Sequence, residues 1–248
     1  MNTNEQLNPQ YILPQKCDAV NISEEEAAFQ VVEEAVLGLW DVVNNLTRIR
    51  PPKRKRYRVT IFGSARLQPD SIPYDGVRRL ASELTIMGCD IVTGGGPGLM
   101  QAANEGSVMA DPADITQSIG IRVALDFEQQ TNPFVEQVYQ HRTFFSRLHH
   151  FVLLSDAFVV VPGGIGTTLE TFMIWQLLQA RKLHDTPLIM VGTMWSELVN
   201  WAQEYMVNVE SPTASAGDMM IPYCVPNFED AIALLRKFHA AWTCQTEV

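Results

Sequence analysis

The chain has 248 residues, of which 46% are hydrophobic and 19% charged, and its formal net charge is -10. This apolar fraction excludes a disordered chain, and the length suffices for one large or two small domains whose core needs no disulfides. The acidic charge argues against a protein that binds nucleic acid or a membrane surface over a broad face, because the average field repels phosphate. We therefore expect any phosphate ligand to be held at one local site.

The N-terminus, MNTNEQLNPQ, lacks the basic patch and apolar stretch of a signal peptide, and no apolar run reaches the roughly 20 residues that a membrane helix needs. The cysteines at positions 17, 89, 224 and 244 are far apart, with no CxxC pair and no His at zinc spacing. This pattern predicts buried thiols in a cytoplasmic protein, and no metal site.

Residues 1–52 are predicted to form a polar tail and an accessory helix, and residues 53–248 the main domain. Ser23 can cap a helix over 23–49, with Glu26 completing a capping box. An apolar stripe follows at helical spacing, formed by Phe29, Val32, Val36, Leu39, Val43 and Leu46. We expect this helix to pack on the main domain or on a dimer partner.

Five basic residues then occur within the six positions 53–58 (KRKRYR). Such a run is typical of a nucleic-acid or nuclear-import patch, or of a solvated linker. The acidic net charge favours the linker, so we expect no nucleic-acid partner.

From Tyr57 onward, strand and helix patterns alternate. Short apolar runs predict buried parallel strands at 57–62, 89–93, 118–123, 156–161 and 187–191. Helical patterns lie at about 74–87, 98–109, 143–154, 167–181, 195–207 and 228–241. This order predicts an α/β fold, a Rossmann-like doubly wound parallel sheet with helices on both faces and ligands at the carboxyl ends of its strands.

Two of the predicted strand-to-helix junctions are rich in glycine. The second strand leads into Thr93-Gly94-Gly95-Gly96-Pro97-Gly98-Leu99-Met100, and the fourth into Pro162-Gly163-Gly164-Ile165-Gly166-Thr167-Thr168-Leu169-Glu170. Glycines let a ligand approach the backbone, and the helix start behind each loop offers unpaired N–H groups and partial positive charge. A single loop of this kind could be explained by glycines that only shape a turn, whereas two such loops indicate a nucleotide site. At such a site the phosphate can be bound without a net positive charge on the protein.

These loops match neither of the common nucleotide fingerprints. No GxGxxG follows the first strand, where the turn reads Gly63-Ser64-Ala65-Arg66, and no GKS or GKT follows either loop. Nicotinamide and triphosphate chemistry are therefore disfavoured. Between the loops, Arg147 lies in a helix that is otherwise apolar, which leaves it either a surface or a ligand-binding role.

The motif Pro162–Glu170 fits PGGxGTxxE, the signature of the LOG (Lonely Guy) family, and Thr93–Met100 followed by Ala102-Ala103-Asn104 resembles that family's GGGPGxM motif. Arg147 stands where the family has an arginine, and Asn132-Pro133-Phe134-Val135 resembles the longer branch of the family. The resemblance spans about residues 57–201. These proteins are nucleotide phosphoribohydrolases that were once described as lysine decarboxylases.

The resemblance implies a homodimer that needs no cofactor and hydrolyses the N-glycosidic bond of a purine nucleoside 5′-monophosphate, AMP or an N6-modified AMP. It assigns the catalytic pair to Glu170 and Arg147. It also implies a set of substrate-binding residues: Gly163, Gly164, Gly166, Thr167 and Thr168 at the phosphate, and Gly94, Gly95, Gly96, Met100 and Ser64 around the ribose and base. The chain departs from many members at Leu148 and Leu169, where they have a lysine and an acid.

The chemistry of the reaction is consistent with these roles. Cleavage passes through an oxocarbenium-like transition state, which a carboxylate can stabilise while it orients water. We expect Glu170 to do this and Arg147 to bind the phosphate or ribose and to keep Glu170 ionised. No lysine lies at a glycine loop, so decarboxylation through pyridoxal phosphate lacks support. The alternative is a carrier that binds a nucleotide or a molybdenum-cofactor-like ligand without catalysis, and the preferred base stays open.

Overall fold

The computed structural model describes residues 29–38, 55–124 and 130–246 of the chain. It contains two compact units, Met1–Arg50 and Pro51–Val248. In the first unit, the described residues form helix α1 (29–38), in which the apolar side chains of Phe29, Val32 and Val36 are exposed. The remainder of the helix predicted over 23–49, with its capping box, lies outside the described residues.

A seven-stranded parallel sheet in the order β4-β3-β2-β1-β5-β6-β7 forms the centre of the second unit. The strands are β1 (Arg58–Phe62), β2 (Asp90–Thr93), β3 (Ser118–Val123), β4 (Gln137–His141), β5 (Ala157–Val160), β6 (Leu188–Val191) and β7 (Pro222–Val225). The chain moves outward in one direction from β1 to β4 and then in the other from β5 to β7. The predicted doubly wound α/β fold is confirmed.

Helices cover both faces of this sheet. They are α2 (Ile72–Ile86), α3 (Leu99–Ala110), α4 (Phe144–Leu154), α5 (Ile165–Gln179), α6 (Thr193–Ala202), which continues as a π-helix over Gln203–Val207, a 3₁₀ turn (Asp218–Met220) and α7 (Phe228–Thr246). One apolar core lies under α2, α3 and α7, and the other under α4, α5 and α6. The face of α4 and α5 is therefore opposite to that of α2.

The apolar-run criterion missed the strands at the two edges of the sheet. Strand β4 (QVYQH) alternates half-buried and exposed residues, and β7 (PYCV) begins with a proline and exposes two of its four residues. Proline is tolerated on an edge strand because its missing N–H leaves no unmatched position inside the sheet. Only strands that are covered on both faces appear as continuous apolar runs.

The basic run at 53–58 also differs from the prediction of a solvated linker. Nε of Arg56 lies 2.5 Å from Oδ1 of Asp90, and Nε of Arg58 lies 3.0 Å from Oδ2 of the same carboxylate. Asp90 is buried, and it also accepts the N–H of Gln117. Two of the five basic residues therefore neutralise a buried acid at the amino end of the sheet, because a buried charge requires a partner.

The prediction of buried thiols holds for Cys89 alone among the described cysteines. Cys224 and Cys244 are exposed, since one lies on the edge strand β7 and the other near the end of α7. Cys17 lies outside the described residues. In the part of the chain that the structure covers, no helix is both long enough and apolar enough to cross a bilayer.

Candidate functional site

The candidate site lies where the strand order reverses, between β1 and β5, at the carboxyl edge of the sheet. The N–H of Ser64, just after β1, donates to the carbonyl of Pro162 at 3.0 Å, and the Ser64 carbonyl accepts the N–H of Leu99 at 2.8 Å. Ser64 therefore ties the turn after β1 to both glycine loops. Such a reversal point is where open α/β sheets bind their ligands.

The loop after β5 leaves open space at the first turn of α5. A Cβ atom added at Gly164 or Gly166 would meet no other atom within 4 Å, whereas one at Gly163 would lie 2.3 Å from Oγ1 of Thr167. Gly164 is the N-cap residue, so the N–H groups that follow it have no partner inside the helix. This turn can accept an anion through backbone N–H groups and the positive end of the helix.

The two threonines of this loop have different environments. Thr167 is buried, and its carbonyl accepts the hydroxyl of Thr171 at 2.7 Å. The hydroxyl of Thr168 donates to the carbonyl of Gly164 at 3.0 Å. The Thr168 hydroxyl therefore forms a hydrogen bond within the first turn of α5, and its proton is already donated to the protein backbone.

Arg147 and Glu170 form the charged centre of the site. Nη1 of Arg147 lies 3.4 Å from Oε1 of Glu170, and both side chains are nearly buried, with exposed fractions of 13% and 11%. Nε of Arg147 donates to the carbonyl of Ile121 on β3 at 2.9 Å, and its guanidinium carbon lies 5.3 Å from the centre of the Phe151 ring. The structure thus places Arg147 in the site rather than on the surface, and Ile121 and Phe151 are contacts that the sequence analysis missed.

Burial shifts the pKa values of both members of this pair towards their neutral forms. It raises the pKa of Glu170 from 4.5 to about 7, although the charge of Arg147 acts in the opposite direction. Burial also lowers the pKa of the Arg147 guanidinium, against the effect of Glu170. The charge of Arg147 does act to keep Glu170 ionised, as expected, but burial has the larger effect and brings the pKa of this carboxyl to about 7.

The loop after β2 forms the wall beside Arg147. A Cβ atom added at Gly94 would lie 2.4 Å from Nη2 of Arg147 and 2.6 Å from Sδ of Met100, so a larger residue there would displace one of these side chains. Gly95 and Gly96 are buried, and Gly95 adopts a positive φ of 69°. The carbonyls of Gly95 and Gly96 accept bonds from the backbone and side chain of Asn132. Of the three glycines, Gly94 alone is partly exposed towards the site.

Thr143 and His141 position the start of α4, which carries Arg147. The hydroxyl of Thr143 accepts the N–H of Ser146 at 3.2 Å, as an N-cap does. Nδ1 of His141 lies 3.0 Å from Oγ of Ser146, and burial together with the charge of Arg147 lowers the pKa of His141. Protonation of His141 near the guanidinium is therefore disfavoured.

The two positions at which the chain departs from the LOG pattern lie in different environments. Leu148 is buried in α4, and Leu169 is 51% exposed on α5. Among the residues that the structure describes, no three His, Cys, Asp or Glu side chains are grouped so that they could hold a metal ion. The groups that the structure brings together at the site include the carboxyl of Glu170 and the guanidinium of Arg147, beside the N-terminus of α5.

Comparisons with known proteins agree with the motifs. A family model described as "Possible lysine decarboxylase" matches residues 100–235, which is more than half of the chain. Three strains of Escherichia coli (K12, O6:H1 and O157:H7) have a relative named pyrimidine/purine nucleotide 5′-monophosphate nucleosidase, 28% identical over 121 residues. The match covers 46% of this chain and 27% of the relative, so the chain matches about a quarter of that protein's length.

Solved structures with the same fold include two molybdenum-cofactor proteins. The molybdenum cofactor carrier protein of Chlamydomonas reinhardtii superposes with a TM-score of 0.56 at 18% identity, covering 75% of this chain and 99% of that one. The molybdenum cofactor binding protein of Rippkaea orientalis gives a TM-score of 0.56 at 18% identity, covering 75% and 98%. At this identity the likeness describes the fold alone.

Proposed function

The chain belongs to the LOG family, and from that premise we propose that it is a phosphoribohydrolase that cleaves the N-glycosidic bond of a purine nucleoside 5′-monophosphate, releasing the base and ribose 5-phosphate. The observation that carries this proposal is the buried pair of Arg147 and Glu170, which lies beside a helix N-terminus open to an anion. The nucleosidase relatives in Escherichia coli support the same class of reaction.

The phosphate is proposed to bind at the first turn of α5. Gly164 and Gly166 leave room for it, and the N–H groups of this turn supply hydrogen bonds that no other part of the helix needs. Held there, the ribose extends towards Glu170, which lies five residues beyond the first residue of α5. This arrangement explains how a chain of net charge -10 binds a phosphate monoester.

Glu170 is proposed to act as the ionised carboxylate that accepts a proton from water as the water attacks C1′. The bond between C1′ and the base nitrogen breaks, the water oxygen bonds to C1′, and the proton passes from Glu170 to the departing base. A pKa of about 7 suits both steps, because the group gives and takes a proton most effectively near its own pKa. Arg147 stabilises the carboxylate form and contacts the substrate with its remaining N–H groups.

The direct test is incubation of the purified protein with a panel of nucleoside 5′-monophosphates that includes AMP, N6-isopentenyl-AMP, GMP and CMP, with released base measured by chromatography. We expect base to be released from at least one purine monophosphate. Tight binding of a nucleotide without release of any base would contradict the proposal and favour the carrier, a protein of the same fold that holds its ligand.

We also propose that the protein forms a homodimer through the outer surfaces of α4 and α5. Phe144 and Phe145 in the first turn of α4 are 48% and 73% exposed, and Ile165 and Leu169 at the start of α5 are 88% and 51% exposed. Large apolar side chains exposed at the starts of both helices indicate an association surface. The contact between Arg147 and Glu170 joins these two helices at the site, so the surface borders it.

The dimer proposal is tested by light scattering of the full chain and of two charge-insertion variants. Phe145→Glu should convert a dimer into a monomer, because a charge cannot be buried there without a partner. Ile86→Glu is the matched control, since Ile86 is 70% exposed on α2 at the opposite face of the sheet and should leave the dimer intact. A monomeric wild-type protein would overturn the proposal.

A further inference from the structure

We infer that Thr93, Asn104 and Asn132 are positioning residues of the proposed site, because their buried hydrogen bonds hold the glycine loop after β2 against Arg147. This inference rests on the proposed function for its catalytic consequence. Its structural basis is a chain of bonds that begins at β2, passes through α3, and returns to the loop from the segment before β4.

Thr93 and Asn104 form the inner half of this network. The hydroxyl of Thr93 accepts the N–H of Gly95 at 2.9 Å and donates to Oδ1 of Asn104 at 2.7 Å. Asn104 is fully buried, and its Nδ2 donates to Oγ of Ser118 on β3 at 2.9 Å. The Thr93 hydroxyl therefore fixes the backbone N–H of Gly95, the residue that adopts a positive φ.

Asn132 forms the outer half. Its backbone N–H donates to the carbonyl of Gly95 at 3.0 Å, and its Nδ2 donates to the carbonyl of Gly96 at 2.9 Å and to Oδ1 of Asn104 at 3.0 Å. Its Oδ1 accepts the N–H of Phe134 at 3.1 Å. The Asn132 side chain thus donates through its Nδ2 and accepts through its Oδ1. An amide side chain is needed because it supplies both a donor and an acceptor.

The loop held in this way is the wall of the Arg147 pocket. The Arg147 guanidinium and the Met100 sulfur lie against Gly94, because a Cβ atom added there would lie 2.4 Å from Nη2 of Arg147 and 2.6 Å from Sδ of Met100. If Gly95 or Gly96 shifts, Gly94 shifts with it, and the guanidinium loses the surface that holds it beside Glu170. Displacements of about 1 Å at such a site can lower catalysis by about 100-fold.

Thr93→Val tests the inference, because valine has the shape of threonine but neither donates to Asn104 nor accepts the N–H of Gly95. Thr93→Ser keeps the hydroxyl and is the conservative variant. We expect Thr93→Val to lower kcat for AMP by at least about tenfold, and Thr93→Ser to restore the wild-type value within about twofold. The inhibition constant of inorganic phosphate should be unchanged in both variants, because phosphate binds at α5.

Thr85→Val separates positioning from stability. Thr85 is buried in α2 and donates to Oγ of Ser107 in α3 at 3.0 Å, a bond that involves none of the residues of the network. Thr85→Val should lower the melting temperature as Thr93→Val does while leaving kcat near the wild-type value. Equal losses of kcat in Thr85→Val and Thr93→Val would overturn the inference.

Asn132→Asp provides a second measurement if Thr93→Val does not fold. A carboxylate oxygen would then face the carbonyl of Gly96 and Oδ1 of Asn104, both of which are acceptors. We therefore expect the affinity for AMP to fall while the affinity for phosphate stays the same. The ratio of AMP affinity to phosphate affinity can be measured without turnover. If the wild-type protein releases no base, the proposed function fails, but this ratio still tests the inference about the loop. A ratio in Asn132→Asp equal to that of the wild type would contradict the inference.

Discussion

Nη1 of Arg147 lies 3.4 Å from Oε1 of Glu170, although the two residues are 23 positions apart and belong to different helices, with β5 between them in the chain. Each helix begins at the carboxyl edge of the sheet, so their early turns meet there. The pair is nearly buried, and this burial, rather than the pairing, dominates the pKa of the carboxyl.

Glu170→Gln should reduce release of base from AMP by at least about 100-fold, since general-base assistance is typically worth 10²–10⁴-fold. Nucleotide binding should persist, because the phosphate is held by α5. The matched control is Glu105→Gln, which neutralises a carboxylate that also pairs with an arginine, Arg78, at 3.3 Å. Wild-type turnover by Glu170→Gln would remove Glu170 from the reaction.

The rate should depend on pH through the ionisation of Glu170. With a pKa of about 7, the carboxylate form is a minority below pH 7, so kcat/KM should rise about tenfold per pH unit from pH 5 to 6 and level off above 7. The phosphate of the substrate also titrates, with a second pKa of about 6, so the inhibition constant of inorganic phosphate must be measured over the same range. A rate that is flat from pH 5 to 8 after this correction would contradict the assignment.

The ionisation of Glu170 should also make the folded protein less stable as the pH rises, whereas it makes the reaction faster. A carboxyl whose pKa is raised in the folded state binds more protons when the protein is folded. The free energy of unfolding therefore decreases as the pH rises from the unfolded pKa, near 4.5, to the folded pKa, near 7. Relative to Glu170→Gln, the wild-type protein should lose on the order of 3 kcal/mol between pH 4 and pH 8, as 2.5 pKa units imply. Urea unfolding at both pH values measures this; a constant difference would refute the raised pKa.

Arg147→Met should shift the pH profile to higher pH. The charge of Arg147 lowers the pKa of Glu170, so its removal leaves burial unopposed and moves the titration of the carboxyl above 7. We expect a loss of AMP affinity together with a midpoint of kcat/KM above that of the wild type. A midpoint unchanged from wild type would show that the two side chains are not coupled in solution.

Gly166→Ala should stabilise the fold and weaken the binding of phosphate. An added Cβ at Gly166 meets no atom of the protein within 4 Å. Alanine at such a compatible position stabilises by roughly 0.4–1 kcal/mol, because it restricts the unfolded chain more than glycine does. The methyl group would occupy the open space that we assign to the phosphate. Thermal unfolding and the inhibition constant of phosphate measure the two effects, and unchanged phosphate affinity would place the anion elsewhere.

Gly163→Ala is the comparison for this prediction. Its added Cβ would lie 2.3 Å from Oγ1 of Thr167, so it should destabilise the protein while Gly166→Ala does not. Equal stability of the two variants would indicate that the loop rearranges freely.

The sequence by itself determined the class of fold, and it predicted the residues of the candidate site. The buried strands appear as apolar runs because they are covered on both faces. The glycine loops appear because residues with a Cβ atom would clash at Gly98 and Gly163. Glu170 is predicted from the PGGxGTxxE motif in which it lies, and Arg147 from its position in the LOG pattern.

Only the tertiary structure decided which contacts these residues make and how deeply they are buried. The edge strands β4 and β7 have no continuous apolar run, so they become recognisable only when their neighbours in the sheet are known. The network of Asn104 and Asn132 likewise depends on the position of β3 beside β2. The pKa of Glu170 was not predictable from its motif, because it depends on how much water the folded chain removes from the carboxyl, and that is a property of packing.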